Sequence, residues 1–187
     1  MTTRPRVLVD VDGVLADFGG ATSRTLAALG GQPFDPEALT NWDLNDHIGG
    51  HKEEMCRAWR SEGWCSNIRP YSNAVEGIKQ LSAIADIYYV TAPFYEAPHW
   101  MWERLNWLKQ WVGATDYQVS FTHAKYLVDG DFMVEDRPKN IKAWADAHPD
   151  RTVVIWDQPY TRDIGPIPNS FRTRDWDALC KRVQDAG

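Results

Sequence analysis

No basic block and no long apolar run occur in this chain. Lysine and arginine number 20 against 26 aspartates and glutamates, a formal charge of −6. A duplex nucleic-acid binder needs a positive footprint, so the balance argues against that class. The same balance permits a small phosphorylated ligand, which needs only a metal and one or two cations. No stretch approaches the ~20 apolar residues of a membrane span, so no membrane partner is expected. An apolar run already begins at Arg6, which leaves a signal or transit peptide no room. Cysteine is scarce. Cys56, Cys65 and Cys180 are odd in number, lack metal-ligand spacing and read as the reduced thiols of a cytoplasmic protein. Internal repeats, low-complexity stretches and linkers are also missing. The 187 residues therefore make one domain, with room for a small insertion.

What is present is organised as alternating elements. Apolar runs at 6–11, 86–91, 131–135 and 152–156 read as buried strands, with a weaker one at 118–121. Helical spacing appears at 72–85, where Ser72-Asn73 offers a capping start, and at 99–112, 139–148 and 174–184. The alternation predicts an α/β fold, a Rossmann-like, doubly wound parallel sheet. One segment breaks it. Residues 18–71 are far more than a single crossover needs, and they hold helical patches at 20–29 and 52–62 between glycine pairs. They read as a small helical cap inserted after the first strand. The core domain is then 1–17 and 72–187.

The chemistry is concentrated at the predicted strand ends. The first strand runs into Asp10-Val11-Asp12-Gly13. Residues i and i+2 of a strand share a face, so the two carboxylates emerge together and repel unless a cation or a shared proton relieves them. Magnesium, a hard ion that takes oxygen ligands, is the usual relief. The second strand ends at Thr91-Ala92-Pro93. Lys125 precedes the next long strand, which ends in Glu135-Asp136. In an open α/β sheet these ends converge on one crevice. Two acidic pairs, a hydroxyl and an ammonium in one crevice can handle a phosphoryl group. Taken singly, each motif has an ordinary reading: a turn at Thr91, a solvated Lys125, a helix cap at Glu135-Asp136. Their joint order favours function. His47 and His51 have i,i+4 spacing, but Gly49-Gly50 would break the helix, and they read as a polar loop. Asp157-Gln158-Pro159-Tyr160 follows the last apolar strand and should face the crevice rim, as a substrate contact or as a turn.

Asp10-Val11-Asp12-Gly13-Val14, Thr91, Lys125 and Glu135-Asp136, in that order, resemble the four motifs of the haloacid dehalogenase (HAD) superfamily. The resemblance covers about residues 7–140. It implies that Asp10 is the nucleophile and forms an aspartyl-phosphate, and that Asp12 acts as general acid and then base. It implies Mg²⁺ on Asp10, the backbone carbonyl of Asp12, and Asp136, with Glu135 and Asn140 orienting that shell. Thr91, Ala92 and Lys125 would bind the phosphoryl oxygens. An Asp at position 12 favours an oxygen leaving group, hence a phosphatase, with a phosphomutase second.

Within the superfamily the passages at 10–18, 59–64, 69–76 and 134–138 are most similar to the 5′(3′)-deoxyribonucleotidases. That likeness implies a nucleoside monophosphate as partner and places Phe18, Trp42 and Trp59 around its base. Stacking on a base is worth about 1–3 kcal/mol in single-strand binders. The other reading of these rings is that they pin the cap to the sheet. Ala92, His123 and Ala124 depart from the family pattern. Two alternatives remain at this point: the same hydrolase acting on a sugar phosphate or other small phosphoester, and a non-enzymatic phosphoacceptor receiver domain. The long insert and Asp12 both oppose the receiver. A homodimer stays open.

Overall fold

The computed structural model describes residues 4–186. Six strands form one sheet: β1 (Arg6–Val9), β2 (Asp86–Thr91), β3 (Val119–Phe121), β4 (Phe132–Glu135), β5 (Thr152–Trp156) and β6 (Ser170–Thr173). All pair in parallel, in the order β3-β2-β1-β4-β5-β6. Chain direction across the sheet reverses between β1 and β4, and ligands of such sheets bind outside the strand ends at that point. The central strands are apolar on both faces because helices cover both. Val7, Val9, Ile87, Tyr89 and Val134 join one core with α4 (Ala74–Ile84), α5 (Trp100–Val112) and α7 (Trp176–Gln184). Leu8, Val90, Met133 and Val153 join the other, with Ile141 and Trp144 of α6 (Pro138–Ala147).

Residues 18–71 lie between β1 and α4 and carry α1 (Phe18–Ala28), α2 (Asn45–Ile48) and α3 (Lys52–Arg60). The chain enters and leaves this segment side by side, since Asp17 N donates to Arg69 O and Tyr71 N to Leu15 O. Asp17 caps α1 by accepting from Gly20 N at 2.8 Å, satisfying one of the helix's orphan donors. Leu26, Ile48 and Met55 form a small apolar cluster of their own, against Phe34 and Trp59. Ala21, Cys65 and Ile68 instead pack into the main core.

The structure differs from the sequence reading in several places, among them His47 and His51, which read from sequence as a polar loop and lie in α2 and a short 3₁₀ turn. β1 stops at Val9: Asp10 N still donates to Val134 O, and Val11 O then accepts from Leu15 N and Ala16 N as the chain turns. Asn73 precedes α4 without a side-chain cap. The final helix starts at Trp176 rather than Arg174, capped by Asp175 accepting from Asp177 N at 2.9 Å. The sequence reading omits β6, a four-residue edge strand with a polar pattern that carries little apolar signal.

Candidate active site

The β1–β4 register places the two acidic pairs side by side. Val9 pairs with Val134, and Asp10 N donates to Val134 O at 2.9 Å. Asp10 and Glu135 therefore leave adjacent strands at the same level. One carboxylate oxygen from each of Asp10, Glu135 and Asp136 lies within 4.8 Å of the others, and all three residues are buried. Lys125 inserts among them, forming an ion pair with Asp10 Oδ1 at 2.6 Å and donating to Glu135 Oε2 at 2.8 Å. At 3% exposure Lys125 is no solvated surface lysine.

The donors divide the carboxylates into two kinds. Glu135 accepts from Lys125 Nζ, from Arg137 N at 3.0 Å and from Asn140 Nδ2 at 3.3 Å. Its lone pairs are largely committed. Asp10 Oδ1 takes Val11 N at 2.7 Å and Lys125, while Oδ2 has no hydrogen bond among the described residues. Asp136 accepts from the Tyr160 hydroxyl through Oδ2. Gly13 passes close beside it with φ +83°, and a Cβ there would fall 1.8 Å from Asp136 Oδ2. Only glycine allows that approach.

Burial, and secondly the charge of Glu135, push the Asp10 carboxyl up from 3.8 to about 7, against the opposing effect of Lys125. Asp136 is likewise raised to about 7 by burial and then by Asp10. Burial also raises Asp12, against Arg104. Burial would lower Lys125, but Asp10 and Glu135 more than offset it and raise the ammonium's pKa. Four carboxylates here meet two buried cations, Lys125 and Arg104. With all four ionised the site would be short of two positive charges, and its donor set is all oxygen. That fits a hard divalent ion.

Asp12, Thr91, Ala92 and Asn140 share with the cluster a cleft of about 370 Å³. Phe18, Trp42 and Trp59 line the same cleft. The structure thus brings together all the site residues expected from sequence; Glu135 alone does not line the cleft and joins the site through Lys125, Asn140 and the acid cluster. The rings also have packing partners. Phe18 sits 5.3 Å from Trp64, 5.9 Å from Trp59 and 6.3 Å from Trp100, in an aromatic cluster. The Arg137 guanidinium lies over Trp42 at 3.7 Å.

One contributor, Arg104, escapes the sequence reading of the site, and two rim residues, Gln158 and Tyr160, have partners that it does not anticipate. Arg104, from α5, pairs with Asp12 Oδ1 at 2.5 Å. Gln158 is buried and donates to Gly13 O at 2.5 Å, and Tyr160 reaches Asp136. The last two belong to the loop after β5, whose position at the rim sequence could anticipate although their partners it could not. Arg104 carries no local motif at all.

Fold and site together define a hydrolase of the haloacid dehalogenase type. A HAD family hydrolase from Deinococcus radiodurans, solved with bound phosphate and sodium, superposes at TM-score 0.62 with 14% identity, over 98% of this chain and 96% of that one. A Bacillus subtilis HAD-hydrolase structure bound to magnesium gives 0.58 and 16%, over 97% and 99%. At such identities the likeness establishes the fold.

The sequence comparisons go further. The family model "5' nucleotidase, deoxy (Pyrimidine), cytosolic type C protein" matches residues 4–183, and the chain belongs to this family. The human mitochondrial 5'(3')-deoxyribonucleotidase is 31% identical over 97% of this chain and 82% of its own length. The mouse mitochondrial protein of that name is 27% identical over 97% and 86%. The chain is accordingly a phosphomonoester hydrolase of the 5′-nucleotidase type, acting on a small nucleotide. The phosphoacceptor reading is thereby set aside. Among the described residues no helix is long and apolar enough to cross a membrane.

Proposed function

We propose that this protein is a Mg²⁺-dependent phosphatase of (deoxy)nucleoside monophosphates that works through an aspartyl-phosphate on Asp10. One observation carries the reading: a single cleft joins the buried acid–lysine cluster to Phe18, Trp42 and Trp59. Phosphate and base would occupy this one cleft together. We place the core domain at 1–17 and 72–187 and the cap at 18–71, supported by the separate cluster of Leu26, Ile48 and Met55. Cys56, Cys65 and Cys180 are free thiols, which fits a reducing compartment such as the cytoplasm.

Asp10 Oδ2, the oxygen without a partner, attacks phosphorus while Oδ1 stays held by Val11 N and Lys125. The ester P–O bond breaks, and its oxygen takes a proton from Asp12. Water then attacks the same phosphorus, giving its proton to the Asp12 carboxylate, and Asp10 is released with phosphate. Splitting one displacement into two is the gain from covalent catalysis. The Thr91 hydroxyl, the Ala92 amide and the Lys125 ammonium hold the phosphoryl oxygens. Asp10, Asp136 and the backbone carbonyl of Asp12 would hold the cation, with Glu135 and Asn140 fixing that arrangement. When bound, it supplies positive charge between the carboxylates and the phosphate.

A panel of ribo- and deoxynucleoside monophosphates assayed for phosphate release tests this. Release should stop in excess chelator and return with magnesium. Asp10→Asn should abolish turnover. Wild-type rates in the purified variant would remove the covalent mechanism, and full activity in chelator would remove the metal.

A further inference from the structure

We propose that Arg104 is a positioning residue that fixes the Asp12 carboxyl for proton donation to the leaving nucleoside oxygen. The inference rests on the reading of Asp12 as general acid.

Arg104 is fully buried and reaches Asp12 Oδ1 at 2.5 Å, while the Asp12 side chain keeps 29% exposure at the cleft. An arginine here is costly. Its Nε and Nη1 are buried with no hydrogen-bond partner among the described residues. Each unsatisfied buried donor carries a desolvation penalty, and a buried ion pair is weak support for stability. A purely structural role would be served better by an apolar side chain among these neighbours. The charge is instead held rigidly in place. The guanidinium lies 5.4 Å from the Trp100 ring and 5.3 Å from Trp107, both on the same helix. Trp107 is itself tied to Ile68 O at 2.6 Å. The adjacent Glu103 accepts from Gly63 N at 2.6 Å and Ser66 N at 3.1 Å, which anchors α5 against the turn leaving the insert.

The chemical consequence concerns which oxygen carries the proton. Guanidinium has donors and no acceptor. With Oδ1 accepting from such a donor, an acid proton on Asp12 is favoured on Oδ2, the oxygen with no hydrogen bond among the described residues. Transfer then runs from Oδ2 to the ester oxygen as the P–O bond breaks and its electron pair leaves with that oxygen. Without Arg104 the carboxyl can rotate or carry its proton on the wrong oxygen. Misplacement of a reacting group by 1 Å can cost about 10²-fold.

The test compares two substrates on one preparation. A nucleoside monophosphate leaves as an alkoxide that needs a proton. p-Nitrophenyl phosphate leaves as a stabilised phenolate that does not. The ratio of their kcat/KM values is independent of the fraction of folded enzyme. We expect Arg104→Gln, whose amide can also accept a hydrogen bond, to lower this ratio by roughly tenfold to a hundredfold relative to wild type. Arg104→Lys, which keeps a donor-only cation, should recover part of it. Equal losses on both substrates in Arg104→Gln would overturn the proposal and leave Arg104 a structural residue. Asp12→Asn, run alongside, separates the two layers. If Asp12→Asn also fails to shift the ratio, the acid assignment itself falls. If Asp12→Asn shifts it and Arg104→Gln does not, only the positioning role falls.

Discussion

Asp136 and Glu135 are neighbours in sequence with different partners, and that difference is measurable. Asp136 has one hydroxyl partner and faces the cleft, whereas Glu135 is occupied by Lys125, Arg137 N and Asn140. Asp136→Ala should therefore weaken magnesium binding more than Glu135→Gln. Loss of an outer partner of a ligand typically costs about 10–100-fold, and loss of a ligand should cost more. Titration calorimetry with magnesium on both variants decides it, and a larger loss in Glu135→Gln would make Glu135 the ligand. Residues of this kind were legible because each motif compresses its chemistry into a few consecutive positions at a strand end. Arg104 was not. It meets Asp12 across 92 positions, from the middle of a helix where an arginine ordinarily reads as a solvated charge. Only the fold reveals that this helical position points inward.

Short helices and the loops between them line the cleft together with the acids, and here the same rings serve two purposes. Phe18 opens α1 and packs on Trp59 of α3 and Trp100 of α5, yet all but Trp100 line the cleft. Trp42, between the helices, lies under Arg137 from the strand-end motif. If these rings hold the base, Phe18→Ala, Trp42→Ala and Trp59→Ala should lower nucleotide kcat/KM by roughly tenfold to a hundredfold, the equivalent of a stacking ring worth about 1–3 kcal/mol. A small aryl phosphate without base or sugar should lose less. Equal losses for both substrates that track the fall in melting temperature would make them packing residues. The insert was legible through its length and glycine punctuation, and its helical patches matched α1 and α3 within a few residues. Its tertiary pairing was not legible, because aromatic clusters such as Phe18, Trp64 and Trp100 are assembled from separate elements.

At the scale of the whole molecule, the sheet was readable from its centre outward. β1, β2, β4 and β5 are apolar because both of their faces are covered, whereas β6 is a polar edge with little periodic signal. The same architecture concentrates carboxylates at the β1–β4 switch point, and stability as a function of pH should report it. Asp10 and Asp136 are raised from 3.8 to about 7 by burial first and by neighbouring acids second. A carboxyl whose folded pKa exceeds its unfolded one keeps a proton in the native state that the unfolded chain has already released. From pH 3.8 to about 7 these groups therefore make the metal-free protein less stable as pH rises. Magnesium binds only the deprotonated carboxylates and only the folded site, so its stabilisation grows over the same window. The gap between melting temperatures in excess magnesium and in excess chelator should consequently widen as pH rises. Other acids on the surface contribute alike to both curves and drop out of the difference. Asp136→Asn, which removes one of the raised carboxyls, should narrow the gap at neutral pH. A gap that stays constant across the window would mean that Asp10 and Asp136 do not carry the buried charge that the metal relieves.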